Sequence, residues 1–182
     1  PVLLAQNYVS AGDQDLAVAG RLLDAQGRYQ AALSHDPLSS DACRGLSRVA
    51  FVRWQHERDD RLADSAFADG VKWAHAAIAR DTHNASIRHE VGHWYQQRYA
   101  RTKAREDAEG AVDWLLPAVR AYPTNSTWIA DLTLSLSALD QQDEARAYAQ
   151  RALYLDELNH RAGHIDRYLP DDVVARLKSL IE

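Results

Sequence analysis

Ile87-Arg88-His89-Glu90-Val91-Gly92-His93-Trp94-Tyr95 decides the reading of this chain, because it fits two incompatible patterns. Read for chemistry, His89, Glu90 and His93 spell H-E-x-x-H. Two imidazoles four residues apart on one helical face can share a Zn²⁺, with the intervening carboxylate as general base on the metal-bound water. A catalytic zinc needs a third protein ligand. The longer pattern that supplies one requires glycine and histidine where this chain has Gln96 and Tyr99. Glu106, Glu109 and Asp113 follow as carboxylates, but no local spacing selects one of them. Read for packing, Ile87, Val91, Trp94 and Tyr95 recur at three- and four-residue steps, and Gly92 marks a close approach by a second helix.

Composition narrows the choice. With 182 residues the chain can bury the core of one domain. A net charge of −5 gives no general drive towards nucleic acid. Arg98, Arg101, Lys103 and Arg105 form a basic run, but Glu106, Asp107 and Glu109 follow at once, so it reads as a mixed-charge helix surface. The single cysteine, Cys43, excludes an internal disulfide. With no electropositive motif beside it, it reads as a small apolar helix residue. No apolar run approaches the ~18 residues of a membrane span, and no signal-peptide pattern opens the chain. The expectation is a soluble, cytoplasmic segment without cofactor. Because it starts at Pro1 and contains no Met, it also reads as part of a longer protein.

Helix period dominates from about Asp15 onward, as in Leu16, Ala19, Leu22 and Leu23, and later in Ile129, Leu132, Leu136 and Leu139. No alternating strand pattern competes. Turn-forming clusters interrupt it at Asp36-Pro37-Leu38-Ser39, Asp81-Thr82-His83-Asn84, Tyr122-Pro123-Thr124-Asn125 and Leu155-Asp156-Glu157. Ser40 or Asp41, Asn84 and Asn125 are the expected N-caps. Pro37, Thr82, Pro123 and Glu157 lie 45, 41 and 34 residues apart, the last being the period of a known helical repeat. Between clusters, Val91-Gly92-x₂-Tyr95 then Ala111-x₃-Leu115-x₂-Ala118 is echoed by Leu132-Thr133-x₂-Leu136 then Ala145-x₃-Ala149-x₂-Ala152, and more weakly by Leu46-Ser47-x₂-Ala50 then Gly70-x₃-Ala74-x₂-Ala77.

These landmarks resemble the tetratricopeptide repeat family, in which small residues let two helices of a hairpin meet. The resemblance implies an all-α, right-handed α-solenoid of helical hairpins, read as a single domain over 1–182. Its parts are a leading helix or incomplete unit (1–37), repeats at 40–82, 85–123 and 126–159, and a capping helix (170–181). The first two repeats carry about 11 and 7 residues more than the third, which predicts lengthened helices plus longer connections around His56–Arg61 and Arg101–Glu106. The five Trp residues read as packing.

In that family the outward face of each first helix lines a concave, peptide-binding groove. Carried over, this implies a partner-binding face of Arg44, Arg48, Phe51, His89, His93, Gln96 and Gln97. The two arginines and two histidines can receive a carboxylate or phosphate, or Arg44 and Arg48 can pair with Asp41 and other neighbours. The implied partner is a protein or peptide of acidic character, not nucleic acid. Ala32-Leu33-x₂-Asp36-Pro37, Ala118-Val119-x₂-Tyr122-Pro123, and Ala152-Leu153-x-Leu155-Asp156 followed by Leu169-Pro170-Asp171 resemble the soluble C-terminal repeat domain of bacterial O-antigen ligase/polymerase-like membrane proteins. That likeness implies a docking or regulatory segment tethered to a membrane glycan transferase. No catalytic residue carries over, since the parents work through their membrane portion. The competing expectation is a zinc-dependent hydrolase using His89 and His93 with Glu90 as base.

Overall fold

The computed structural model describes residues 2–182. They form α1 (Val2–Leu16), α2 (Leu22–His35), α3 (Ser40–His56), α4 (Asp60–Arg80), α5 (Ala85–Thr102), α6 (Arg105–Ala121), α7 (Ser126–Ala138), α8 (Gln142–Ala162) and α9 (Asp171–Ser179), with a 3₁₀ turn at Ile165–Arg167 and no strand among them. Among the described residues no helix is long and apolar enough to cross a membrane. By its internal packing the chain divides into two compact units, Pro1–Ile87 and Arg88–Glu182.

Local chemistry sets the helix ends. Ser39, one residue before the expected cap, accepts from the Ala42 amide, and Asn125 caps α7 by accepting from Trp128 N. Asp59 accepts from Arg61 and Leu62 N at 3.0 and 3.1 Å. Gly163, at φ 69°, stops α8 in the left-handed conformation, which glycine adopts without a Cβ penalty. The longer connections expected around 56–61 and 101–106 do not exist. Only residues 57–59 separate α3 from α4, and only 103–104 separate α5 from α6. The Glu57 carboxylate folds the first turn tightly by accepting from Arg58 and Asp59 N. Lys103 folds the second by taking φ 55°. The extra residues therefore lie in the helices.

The leading segment is also richer than a single helix: α1 and α2 pack together as a complete hairpin, and α1 reaches α3. Tyr29 of α2, fully buried, fills the space that two glycines leave. A Cβ on Gly12 of α1 would lie 2.7 Å from its ring, and one on Gly45 of α3 only 2.2 Å. The Tyr29 hydroxyl donates to Asp13 at 2.7 Å. Below it, the buried Asp15 carboxylate is met by Arg21 at 2.9 Å and Arg28 at 3.6 Å. Between α3 and α4, Phe51 lies against Gly70 and edge-on to Phe67, while the Ser47 hydroxyl donates to the Gly70 carbonyl at 2.7 Å.

Burial first, and then the hydrogen bond to Asp13, push the Tyr29 hydroxyl well above the ordinary tyrosine range. The native state thus holds this proton more tightly than the unfolded chain does. The contribution is complete below the unfolded value of about 10 and declines as pH rises above it. Thermal melts across that range should show Tyr29→Phe losing less stability with alkalinity than the parent. An identical alkaline slope would mean that the hydroxyl is not sequestered.

In the second unit, α5 and α6 meet where Gly92 faces Leu115 and Gly110 faces Tyr95. Buried Asp107, at the start of α6, accepts from the Thr102 hydroxyl at 2.5 Å and pairs with Arg98 at 3.4 Å. Leu115, Val119, Ile129, Leu132 and Leu136 form the core, and α9 closes it with the fully buried Leu177. Asp156 of α8 holds the approach to α9 by accepting from Leu169 N at 2.8 Å. One device occurs in both units. Arg80 of α4 donates to the Pro37 carbonyl at 3.0 Å, and Arg151 of α8 donates to the Pro123 carbonyl at 2.6 Å. Each ties a second helix to the proline turn that opens its own hairpin.

Candidate functional site

The expected partner-binding residues do not share one environment. On α3, Arg44 and Arg48 are half-buried and engaged with neighbours. Phe51, expected on the outward face, is 1 % exposed and belongs to the α3–α4 core. Its ring is needed to fill the gap over Gly70, so it is unavailable to a partner. These three lie in the first unit; His89, His93, Gln96 and Gln97 lie in the second.

There, the two histidines of H-E-x-x-H do different things. His89 Nε2 lies 2.7 Å from Asp131 Oδ2 of α7, and its ring stacks on Trp128 at 4.8 Å and 12°. Trp128 in turn stands edge-on to Tyr122. Gln96 donates to the Asp131 carbonyl at 2.7 Å and to the Ser135 hydroxyl at 2.9 Å. His89 and Gln96 thus fasten α5 to α7. His93, one turn beyond His89, is exposed. The zinc reading finds no support: the bond to Asp131 leaves the second ring nitrogen of His89 open, but no third ligand joins the histidine pair. Among the described residues no group of three or more His, Cys, Asp or Glu could hold a metal.

The difference between the histidines is measurable. His89→Ala should cost about 2 kcal/mol through the lost bond to a carboxylate and the lost stack. His93→Ala should stay within about 0.5 kcal/mol of the parent, as surface changes usually do. Equal effects in chemical denaturation would show that the α5–α7 fastening is not made.

Beside this fastening the second unit opens a cavity of about 380 Å³. His93, Tyr99 and Lys103 line it from α5 and the turn after it, Leu134 from α7, and Val173 and Arg176 from α9. Gln96 and Asp131 form its other end, and Gln97 does not line it. Its volume falls within the range of ligand sites, and its lining mixes apolar surface with a few polar groups. A larger recess of about 600 Å³ between α8 and α9 carries the carboxylates of Asp156, Glu157 and Asp171 with Lys178 and His160. Elsewhere, Cys43 is fully buried and burial raises its pKa, which suppresses the thiolate that a nucleophile requires.

Lys103, Val173 and Arg176 are absent from the face that the sequence alone marks as partner-binding. Lys103 and Arg176 come from a turn and from the terminal helix, 73 residues apart. The approach of α9 to α7 brings it to this wall. The sequence signal for Lys103 is a basic run whose acidic sequel masks it.

No family model matches the chain, and no curated protein resembles it in sequence. Solved structures do. The crystal structure of MamA superposes with a TM-score of 0.68 at 17% identity, covering 86% of this chain and 81% of that one. Pseudomonas aeruginosa PilF gives 0.61 at 20% identity, over 98% of this chain and 75% of its own. TTC0263, a thermophilic TPR protein in Thermus thermophilus, gives 0.56 at 21% identity, covering 97% and 98%. With an all-helical chain and small residues at its hairpin contacts, this likeness establishes an α-solenoid fold of tetratricopeptide-type helical hairpins.

Proposed function

We propose that this chain is a non-enzymatic scaffold that binds a protein or peptide partner through the α5/α7/α9 groove of its second unit. The observation that carries the reading is the division of labour along α5. His89 and Gln96 hold the groove wall, while His93, Tyr99 and Lys103 line an open cavity. A wall fixed by its own bonds loses little order on binding, which favours affinity for a partner. The fold also supports the reading, since stacked hairpins offer extended surfaces to partners.

The test is selection of a random peptide library on the purified protein, followed by measurement on Ala100→Trp. Ala100 is an exposed residue lining the cavity, so the indole should obstruct the groove without entering the core. Selected peptides should lose binding to this variant. Undiminished binding would move the site elsewhere. The pattern around Tyr122-Pro123 and Leu169-Pro170-Asp171 further supports a place as the docking or regulatory segment of an O-antigen ligase/polymerase-like membrane protein. The coding sequence upstream of Pro1 tests that placement: multiple spanning segments are expected, and their absence would sink it.

A further inference from the structure

We infer that the groove takes a peptide segment with an Asp or Glu side chain at its Lys103/Arg176 end and an apolar side chain over Tyr99, Leu134 and Val173. This rests on the groove being the binding site and specifies its occupant. The chain as a whole is acidic, and in the second unit Arg98, Arg105 and Arg161 are matched by Asp107, Glu109 and Glu157. Lys103 and Arg176 are exposed and meet no carboxylate among the described residues; Lys103 Nζ lies 5.4 Å above the Tyr99 ring. Within the groove lining, these two cations from different elements are therefore available to an incoming anion.

The backbone at Lys103 adds weight. At φ 55°, glycine or asparagine would be the less strained choice. The turn nonetheless carries a cation, whose ammonium stands over the ring of Tyr99 in the groove lining. The opposite end has the opposite character. Asp131 already accepts from His89 and would repel a second carboxylate, so donors are favoured there. His93 and Lys103 are ten residues apart along the line of α5, about 15 Å, which an extended peptide spans with four or five residues. Between these ends, half-buried Tyr99, Leu134 and Val173 leave apolar surface for one side chain. Recognition is thus directional, with acid at one end, an apolar residue in the middle and hydrogen-bond donors at the other end.

Fluorescence anisotropy on the whole chain tests this with labelled, C-terminally amidated octapeptides carrying Asp/Glu beside Phe. Controls replace the acids by Asn/Gln or by Lys, and a neutral peptide with a free C-terminus forms a fourth arm. The acidic peptide should bind at least about tenfold more tightly than its Asn/Gln counterpart, the size expected of charge-assisted bonds, and added salt should shrink the gap. Lys103→Glu/Arg176→Glu, two exposed changes whose melting should match the parent, should shift preference to the Lys peptide. Equal binding of acidic and neutral peptides would overturn the inference. So would a preference that survives double charge reversal, or binding governed by the free C-terminus alone. If neutral peptides bind and Ala100→Trp abolishes that binding, the groove stands as the site and only the acidic occupant falls. If peptides bind but none from either experiment is sensitive to Ala100→Trp, the groove falls as the binding site and the acidic occupant falls with it.

Discussion

Tyr29→Ala is expected to destabilise the first unit by about 3–5 kcal/mol, the range for deleting a buried aromatic ring. The ring is fully buried and serves two contacts at once, with Gly12 of α1 and Gly45 of α3 pressed against it. Its removal leaves a cavity between elements whose backbones hold one another apart, so collapse can recover little. Glycine substitutions give a sharper check through opposite signs. Gly45→Ala places a Cβ 2.2 Å from the ring, and the ring, hydrogen-bonded to Asp13, cannot swing aside, so a loss of about 1–3 kcal/mol should follow. Gly27→Ala changes an exposed position in α2 with nothing within 4 Å, and relief of glycine's helix penalty should gain up to about 1 kcal/mol. Denaturation curves, with amide exchange to localise the change to this unit, decide the matter. Two gains of similar size would mean that backbone propensity, not the Tyr29 contact, controls these sites.

What the sequence disclosed and what it hid follow from the range of the interactions. Helices with large apolar stripes, such as α7 with Ile129, Leu132 and Leu136, announce themselves by period. The turns do so by proline, Asn and Asp. α1 escapes a reading by period because its buried positions are Ala5, Gly12 and the ion-paired Asp15, so the stripe facing the core has no apolar signature. The large group filling that contact, Tyr29, sits on the next helix. Angular position alone assigns Phe51 to the outward face. What draws it inward is the space over Gly70, which lies on another helix. The groove was legible as a face but not as a site. His89 meets its partner Asp131 across 42 residues, and Arg176 arrives on a helix that the sequence marks only as a cap. Short-range patterns report elements, whereas selecting among exposed residues requires knowing which are already committed.

Gly92→Leu should destabilise the second unit by about 3 kcal/mol, at the upper end of the overpacking range. Even a bare Cβ there would lie 2.5 Å from Leu115 Cγ and 3.4 Å from the Ala111 carbonyl, and leucine adds three more carbons in the same direction. Relief is blocked because Leu115 is fully buried within the main core cluster and Ala111 contributes backbone, which cannot rotate away. Leu115→Ala alone should cost about 2–5 kcal/mol by leaving a cavity. The two changes are complementary, since one fills the space the other vacates. The double variant should therefore be more stable than the sum of the single losses predicts, by about 0.5–3 kcal/mol, as coupled neighbours usually are. Such recovery would place Gly92 and Leu115 face to face across the α5–α6 hairpin. Strict additivity would separate them and return Gly92 to the H-E-x-x-H motif without a packing role.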